Sequence, residues 1–209
     1  NKVEIQIIHN SADPLVSSIN IDIDGRMIAQ NLGFRSATTF FEIPANQTVT
    51  LGVAPANGYG NRRARAEQQF RFEGGKRYIL MAGGVLRTNQ FDRSVNGSNI
   101  KANMFMLISA RTFSVAGSGN VDIIAFNGAT DAPELDVVMP QIGQTTVDDL
   151  TYGNYTDYIS VPAFSGQVQL DVMTADQRNI LGSFYGDLSL YDGQAVTIFS
   201  SGFLNPRRN

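Results

Sequence analysis

The 209-residue chain has no cysteine, no tryptophan and a single histidine. Without thiols it can form no disulfide, thiolate nucleophile or Cys-zinc site. The single histidine, His9, leaves almost no material for histidine-dependent catalysis or a His-rich metal centre. Charge is sparse at 17% of residues, while 43% are hydrophobic, too many for a disordered chain. The longest nearly uninterrupted apolar run, Tyr78 to Leu86, contains two glycines and falls far short of the ~20 residues of a membrane span. The chain opens on Asn1 and enters a β-type pattern by Val3, so any targeting segment is expected to have been removed or never included.

What is present is a repeat. Val3-Glu4-Ile5-Gln6-Ile7-Ile8-His9-Asn10 aligns with Val121-Asp122-Ile123-Ile124-Ala125-Phe126-Asn127-Gly128, a period of about 118 residues. At the same offset Phe40 to Ala45 matches Tyr158 to Ala163, and Gly75 to Leu86 matches Gly193 to Leu204. Val49, Leu51 and Val53 fall on Val168, Leu170 and Val172 after a one-residue shift. The chain therefore divides into a first copy, residues 1–116, a small-residue linker, 117–120, and a second copy, 121–209.

Within each copy apolar residues recur with period two. Ile19-Asn20-Ile21-Asp22-Ile23-Asp24 alternates cleanly, and Asp24-Gly25 supplies the positive-φ turn of a tight hairpin. Short strands separated by Gly, Pro and Asn predict an all-β chain of two tandem immunoglobulin-like or transthyretin-like β-sandwiches, held by Ile, Val, Leu and Phe without the Cys and Trp core pin of antibody domains. The motifs Ile5 to Pro14, Ile19 to Gly25, Phe41 to Ala45 and Ala82 to Leu86 resemble the bacterial family catalogued as domain of unknown function 4397. That resemblance implies an exported or cell-surface protein with tandem immunoglobulin-like domains, and it implies no catalytic residues. Asn127 stands at the position of His9 in the second copy, which argues against indispensable histidine chemistry.

The second copy ends early. In the first, Ile100 to Ile108 reads as a closing strand, and its counterpart would lie beyond Asn209. Three explanations are open: the natural chain continues, a neighbouring molecule donates a strand, or part of Asp176 to Ser189 closes the domain differently. Under the second, Val196, Ile198, Phe199, Phe203 and Leu204 form an assembly edge. Charge is polarised in the same sense. The first copy, to Gly117, carries 13 Lys and Arg against 8 Asp and Glu, and the second carries 3 against 11, so a net charge of −3 conceals a basic and an acidic half. Head-to-tail or strand-complemented assembly, with the chain itself or neighbouring surface proteins as partners, is the leading expectation.

The alternative expectation is a non-catalytic glycan- or ligand-binding surface domain. Its candidate residues are the basic loop Arg62, Arg63 and Arg65, able to hold carboxylate, sulfate or phosphate, and Tyr155, a candidate sugar-stacking residue whose counterpart is Ala37. No catalytic residue, metal ligand or cofactor is predicted. The carboxylates of the second copy show no D-x-D-x-D-G calcium loop. Nucleic acid is excluded as a partner by a pI near 5.1 and the lack of a broad basic face.

Overall fold

The computed structural model describes residues 1–58, 66–91 and 99–205. Among them there is no α-helix, only strands and short 3-10 turns. Two compact units emerge: one gathers the described residues up to 110 together with 201–205, the other residues 111–200.

The first unit contains β1 (Lys2–His9), β2 (Ser18–Ile23), β3 (Arg26–Gly33), β4 (Ser36–Ala37), β5 (Phe41–Pro44), β6 (Thr48–Pro55), β7 (Ala66–Arg71), β8 (Arg77–Gly83) and β9 (Asn103–Ile108). One sheet runs β4-β1-β8-β9, with β5 also on β1, and the other runs β3-β2-β6-β7. Alternation puts Val3, Ile5 and Ile7 of β1 on one side of the core, and Ile19, Ile21, Val49 and Leu51 on the other. The result is a β-sandwich. Asp24 and Gly25 both take positive φ, 50° and 79°, and close the predicted hairpin between β2 and β3.

The second unit repeats this plan with β10 (Asn120–Ala129), β11 (Leu135–Met139), β12 (Gln144–Leu150), β13 (Ile159–Pro162), β14 (Gln167–Thr174), β15 (Ile180–Asp187) and β16 (Ala195–Gly202). Its sheets run β13-β10-β16 and β12-β11-β14-β15. The ladders coincide residue for residue: Val3 pairs with Ile43 as Val121 pairs with Val161, and Ile8 pairs with Ala37 as Phe126 pairs with Tyr155. Thr38 and Thr156 perform one task, each hydroxyl accepting the N–H of the first strand, from Ile7 at 3.0 Å and Ala125 at 2.9 Å.

The copies differ at one edge. β8 is flanked by β1 and β9, and six of its seven residues are buried. β16 ends its sheet beside β10, and all eight of its residues are only half-buried. At the start of β16, where the first unit has Ala110 bonded to Arg77 just after β9, the segment that enters the second unit lies alongside: Phe113 bridges Gln194 and the Ala195 N–H donates to the Thr112 carbonyl at 3.0 Å.

That segment is held by a transplanted cluster. In the first unit Arg77 of β8 pairs with Glu4 and lies 4.4 Å over the Phe40 ring. The position of Arg77 is Ala195 in the second copy, yet Arg111 reaches Asp122, the counterpart of Glu4, at 2.9 Å, and lies 4.4 Å over Tyr158, the counterpart of Phe40. Burial alone would raise the pKa of Asp122, but the Val115 N–H, the Ser114 and Ser160 hydroxyls and Arg111 outweigh it and hold the carboxyl below its ordinary range.

Candidate functional site

The described residues include two clefts large enough for a small ligand. The first, about 570 Å³, lies in the first unit between the ends of β6, β7, β8 and β9. Its wall is mainly sandwich core, and its buried polar residues are committed elsewhere. The Ser11 hydroxyl donates to the Gly84 carbonyl at 2.6 Å, and His9 is fully buried with both ring nitrogens bonded. The Ser11 N–H donates to Nδ1 at 3.3 Å, which leaves Nε2 as the donor to the Val16 carbonyl at 2.6 Å.

Asn127 reproduces this arrangement in the second unit. Its Nδ2 donates to the carbonyl of Pro133, in the segment that follows β10, at 3.3 Å and also to that of Leu150 at 2.9 Å, and its Oδ1 accepts from the Ala129 N–H at 3.3 Å. His9 is therefore a structural bracket between a strand end and the following segment. Burial lowers its pKa, so protonation is disfavoured in the folded state. The unfolded chain takes up a proton below about pH 6.5 while the folded chain resists, so this part of stability is complete above that pH and is lost as pH falls. His9→Asn is expected to remain within about 1 kcal/mol of the wild type at pH 8 and to flatten the decline between pH 7 and 5. Chemical denaturation of both proteins across that range measures it.

The second cleft, about 370 Å³, lies in the second unit between β12 and the segment that follows it. Asp148, Asp149, Asn154, Tyr155, Thr156 and Asp157 contribute to its wall. A bulge builds its acidic side. Between the paired positions Leu135–Leu150 and Val137–Val147 one residue of β11, Asp136, stands against two of β12, Asp148 and Asp149, and Asp149 takes φ 50°. Asp136, fully buried, accepts the Asp149 N–H on one carboxylate oxygen at 2.9 Å and the Gln177 amide on the other at 2.6 Å. The first copy makes the same bulge with neutral residues, the Asn20 side chain accepting the N–H of Asn31 at 2.9 Å, with φ 52°. The fold thus needs an acceptor here but no charge, and the second copy has carboxylates where the first has Asn20, Gln30 and Asn31. Asp136, Asp148 and Asp149 each offer an oxygen within 4.8 Å of the others, and they are the group among the described residues able to hold a cation.

Two residues of this wall, Thr146 and Tyr155, carry hydroxyls that are buried behind it without a hydrogen-bond partner. Burial pushes the Tyr155 phenol well above its ordinary pKa, with the nearby Tyr158 adding to the shift, so it stays protonated. The Tyr155 ring lies 4.5 Å from Phe126, tilted by 42°, so one face packs against the strand it bridges. Sequence reasoning singled out Tyr155 because Ala37 left it unexplained; it missed Thr146 and the bulge, which have no sequence signature.

None of the other described candidate residues lines this cleft. Val196 and Ile198 pack against the core of the second unit, and Phe199 is half-buried on β16. Phe203 groups with the first unit and stacks on Phe91 at 5.0 Å, while Leu204 is 38% exposed. Arg62, Arg63 and Arg65 lie outside the described residues. Among the described residues no helix is long and apolar enough to cross a membrane.

No family model and no curated protein matches the chain. Among solved structures, the chain is similar to one described as "Alpha-glucan recognition by family 41 carbohydrate-binding modules from streptococcal virulence factors". It is 13% identical over 94% of this chain and 93% of that one, with a TM-score of 0.30, a likeness too slight to carry fold or function across.

Proposed function

We propose that the protein is a non-catalytic binding module that takes a polyhydroxylated ligand, a glycan, in the cleft of the second unit, and that it works outside the cell as the resemblance to the domain-of-unknown-function family implies. The observation that carries this reading is the pair of buried, unpartnered hydroxyls of Thr146 and Tyr155 behind the wall of a cleft that also presents Asp148, Asp149, Asn154 and Asp157. Native structures satisfy nearly all buried polar groups, and an orphan of ~1–3 kcal/mol asks for a partner. A sugar supplies it, since each hydroxyl both donates and accepts, and vicinal hydroxyls suit carboxylates and amides. A volume near 370 Å³ falls at the lower end of small-ligand sites, ~300–1,000 Å³.

We read the cleft as binding a glycan rather than cleaving it. Glycoside hydrolysis needs two carboxyl groups facing each other across the sugar at ~5–9.5 Å; Asp148 and Asp149 are neighbours on one bulged strand. Titration of oligosaccharides into the protein, with binding read by calorimetry, tests the proposal. Saturable binding without cleavage, weakened at least tenfold in the Asp148→Asn, Asp149→Asn double variant, is the expected result. Binding left intact in that variant would move the site elsewhere.

A further inference from the structure

β15 is the outer strand of its sheet and pairs with β14 alone among the described strands. Its counterpart β7 reads Ala-Glu-Gln-Gln-Phe-Arg, an edge protected by charge and polar side chains, with Phe70 turned into the core. β15 reads Ile-Leu-Gly-Ser-Phe-Tyr-Gly-Asp, uncharged until its last residue. It leaves Ile180, Phe184 and Tyr185 57%, 59% and 63% exposed, and Leu190 in the turn that follows is 70% exposed. An eight-residue edge strand with no charge before its last residue and exposed Ile, Phe and Tyr side chains is a template for strand pairing.

We propose that β15 is a homodimerisation edge, along which two copies of this chain pair antiparallel about a two-fold axis. Charge complementarity identifies the occupant. Arg178 lies just before the strand and Asp187 ends it, so the strand laid antiparallel on itself brings Arg178 of each copy to Asp187 of the other, at both ends of the contact. The Arg178 side chain is 83% exposed and has only a loose approach of 3.7 Å to Asp176. Parallel pairing would set like charges together instead.

The centre fits the same register. A bulge in the β14–β15 ladder falls between the partners of Val172 and Met173, so Gly182 and Ile180 are successive pairing positions. With the axis at Ser183, Phe184 of each copy then stands opposite Gly182 of the other, and Ile180 stands opposite Tyr185. The Phe184 ring already lies over Gly182 of its own strand, and cross-strand apolar pairs such as Ile180 with Tyr185 stabilise antiparallel ladders. A contact built around one strand pair falls in the small-interface class, so dissociation on the order of micromolar is expected.

Sedimentation velocity from about 1 to about 500 µM tests the proposal, because mass action makes such a dimer concentration-dependent. The wild type is expected to dimerise. Arg178→Asp and Asp187→Arg are each expected to weaken the dimer on the order of tenfold, since every substitution acts twice across the axis. The double swap Arg178→Asp, Asp187→Arg should restore affinity to within about threefold, a rescue that general destabilisation cannot mimic. Phe184→Lys should abolish dimerisation without lowering Tm. A wild type that stays monomeric, a dimer indifferent to Phe184→Lys, or a double swap no better than either single variant would overturn it.

Discussion

Gly84→Ala is expected to lower the stability of the first unit by about 2–5 kcal/mol, whereas Gly202→Ala, the same substitution at the matching position of the second copy, is expected to cost only about 1–2 kcal/mol. Both glycines hold positive φ, 80° and 101°, so alanine pays a left-handed strain at either site. They differ in what an added methyl group would meet. At Gly84 it would lie 2.5 Å from the Lys101 carbonyl oxygen and 2.7 Å from that of Ile100, backbone atoms fixed where the Val85 N–H donates to Ile100 at 2.8 Å. At Gly202 it would meet only the end of the Arg35 side chain, at an ordinary 3.5 Å. Among the described residues no backbone approaches Gly202 as Ile100 and Lys101 approach Gly84. Urea denaturation of the two variants measures the difference, and equal costs would mean that the close approach at Gly84 is relieved by an easy shift of the backbone.

Arg111→Met should destabilise the second unit by about 2–3 kcal/mol and release the segment that carries it. Asp122 is 2% exposed at its side chain, and removing its cation leaves a buried carboxylate, a loss of ~3–5 kcal/mol where nothing else compensates. Here Ser114 and Val115 continue to donate, at 2.7 and 3.0 Å, which reduces the figure. Met keeps the apolar stem over Tyr158 and so isolates the charge from the packing. The wild-type pair also carries a pH signature. A carboxyl held below its ordinary pKa contributes stability that is complete above about pH 4 and is lost as pH falls through the folded value. Arg111→Met should show a weaker acid-side decline. Amide exchange at Ser114 and Val115 reports the release directly, and unchanged protection there would contradict a latching role.

This cluster marks how much of the fold the sequence discloses. The alternation of Ile19 to Ile23, the Asp24-Gly25 turn and the spacing of the two copies are local patterns; they predict the strands and the hairpin, and the shared spacing reappears in the structure as matching ladder registers. A repeat read in one dimension also assumes that each role stays at its own position. Arg77 aligns with Ala195, so the alignment implies a lost ion pair, while in space Arg111 restores it from the segment before β10. His9 and Asn127 show the converse, where a chemical mismatch in sequence conceals one shared bracket.

The candidate site was legible only in part, for a related reason. Tyr155 stood out because its counterpart is alanine, but the acidic wall depends on a bulge that sets Asp148 and Asp149 beside Asp136, twelve residues away in sequence at the nearest, and no period exposes a bulge. The open edge that sequence reasoning placed at Val196 to Leu204 is divided in three dimensions among core packing, the Phe91 stack and a half-buried strand. The more exposed apolar edge is β15, whose Phe184 and Tyr185 read in sequence as ordinary strand residues.

Two substitutions separate a binding cleft from a packing defect. Thr146→Val and Tyr155→Phe each delete only a buried, unpartnered hydroxyl and keep the shape of the side chain. If those hydroxyls await a ligand, the double variant should be more stable than the wild type by about 1–2 kcal/mol, because two desolvated orphans are gone, and its affinity for the oligosaccharide should fall at least tenfold. Measuring unfolding free energy and calorimetric binding on the same two preparations tests the account most directly. Greater stability with weaker binding is the predicted result; stability gained with binding unchanged would contradict it.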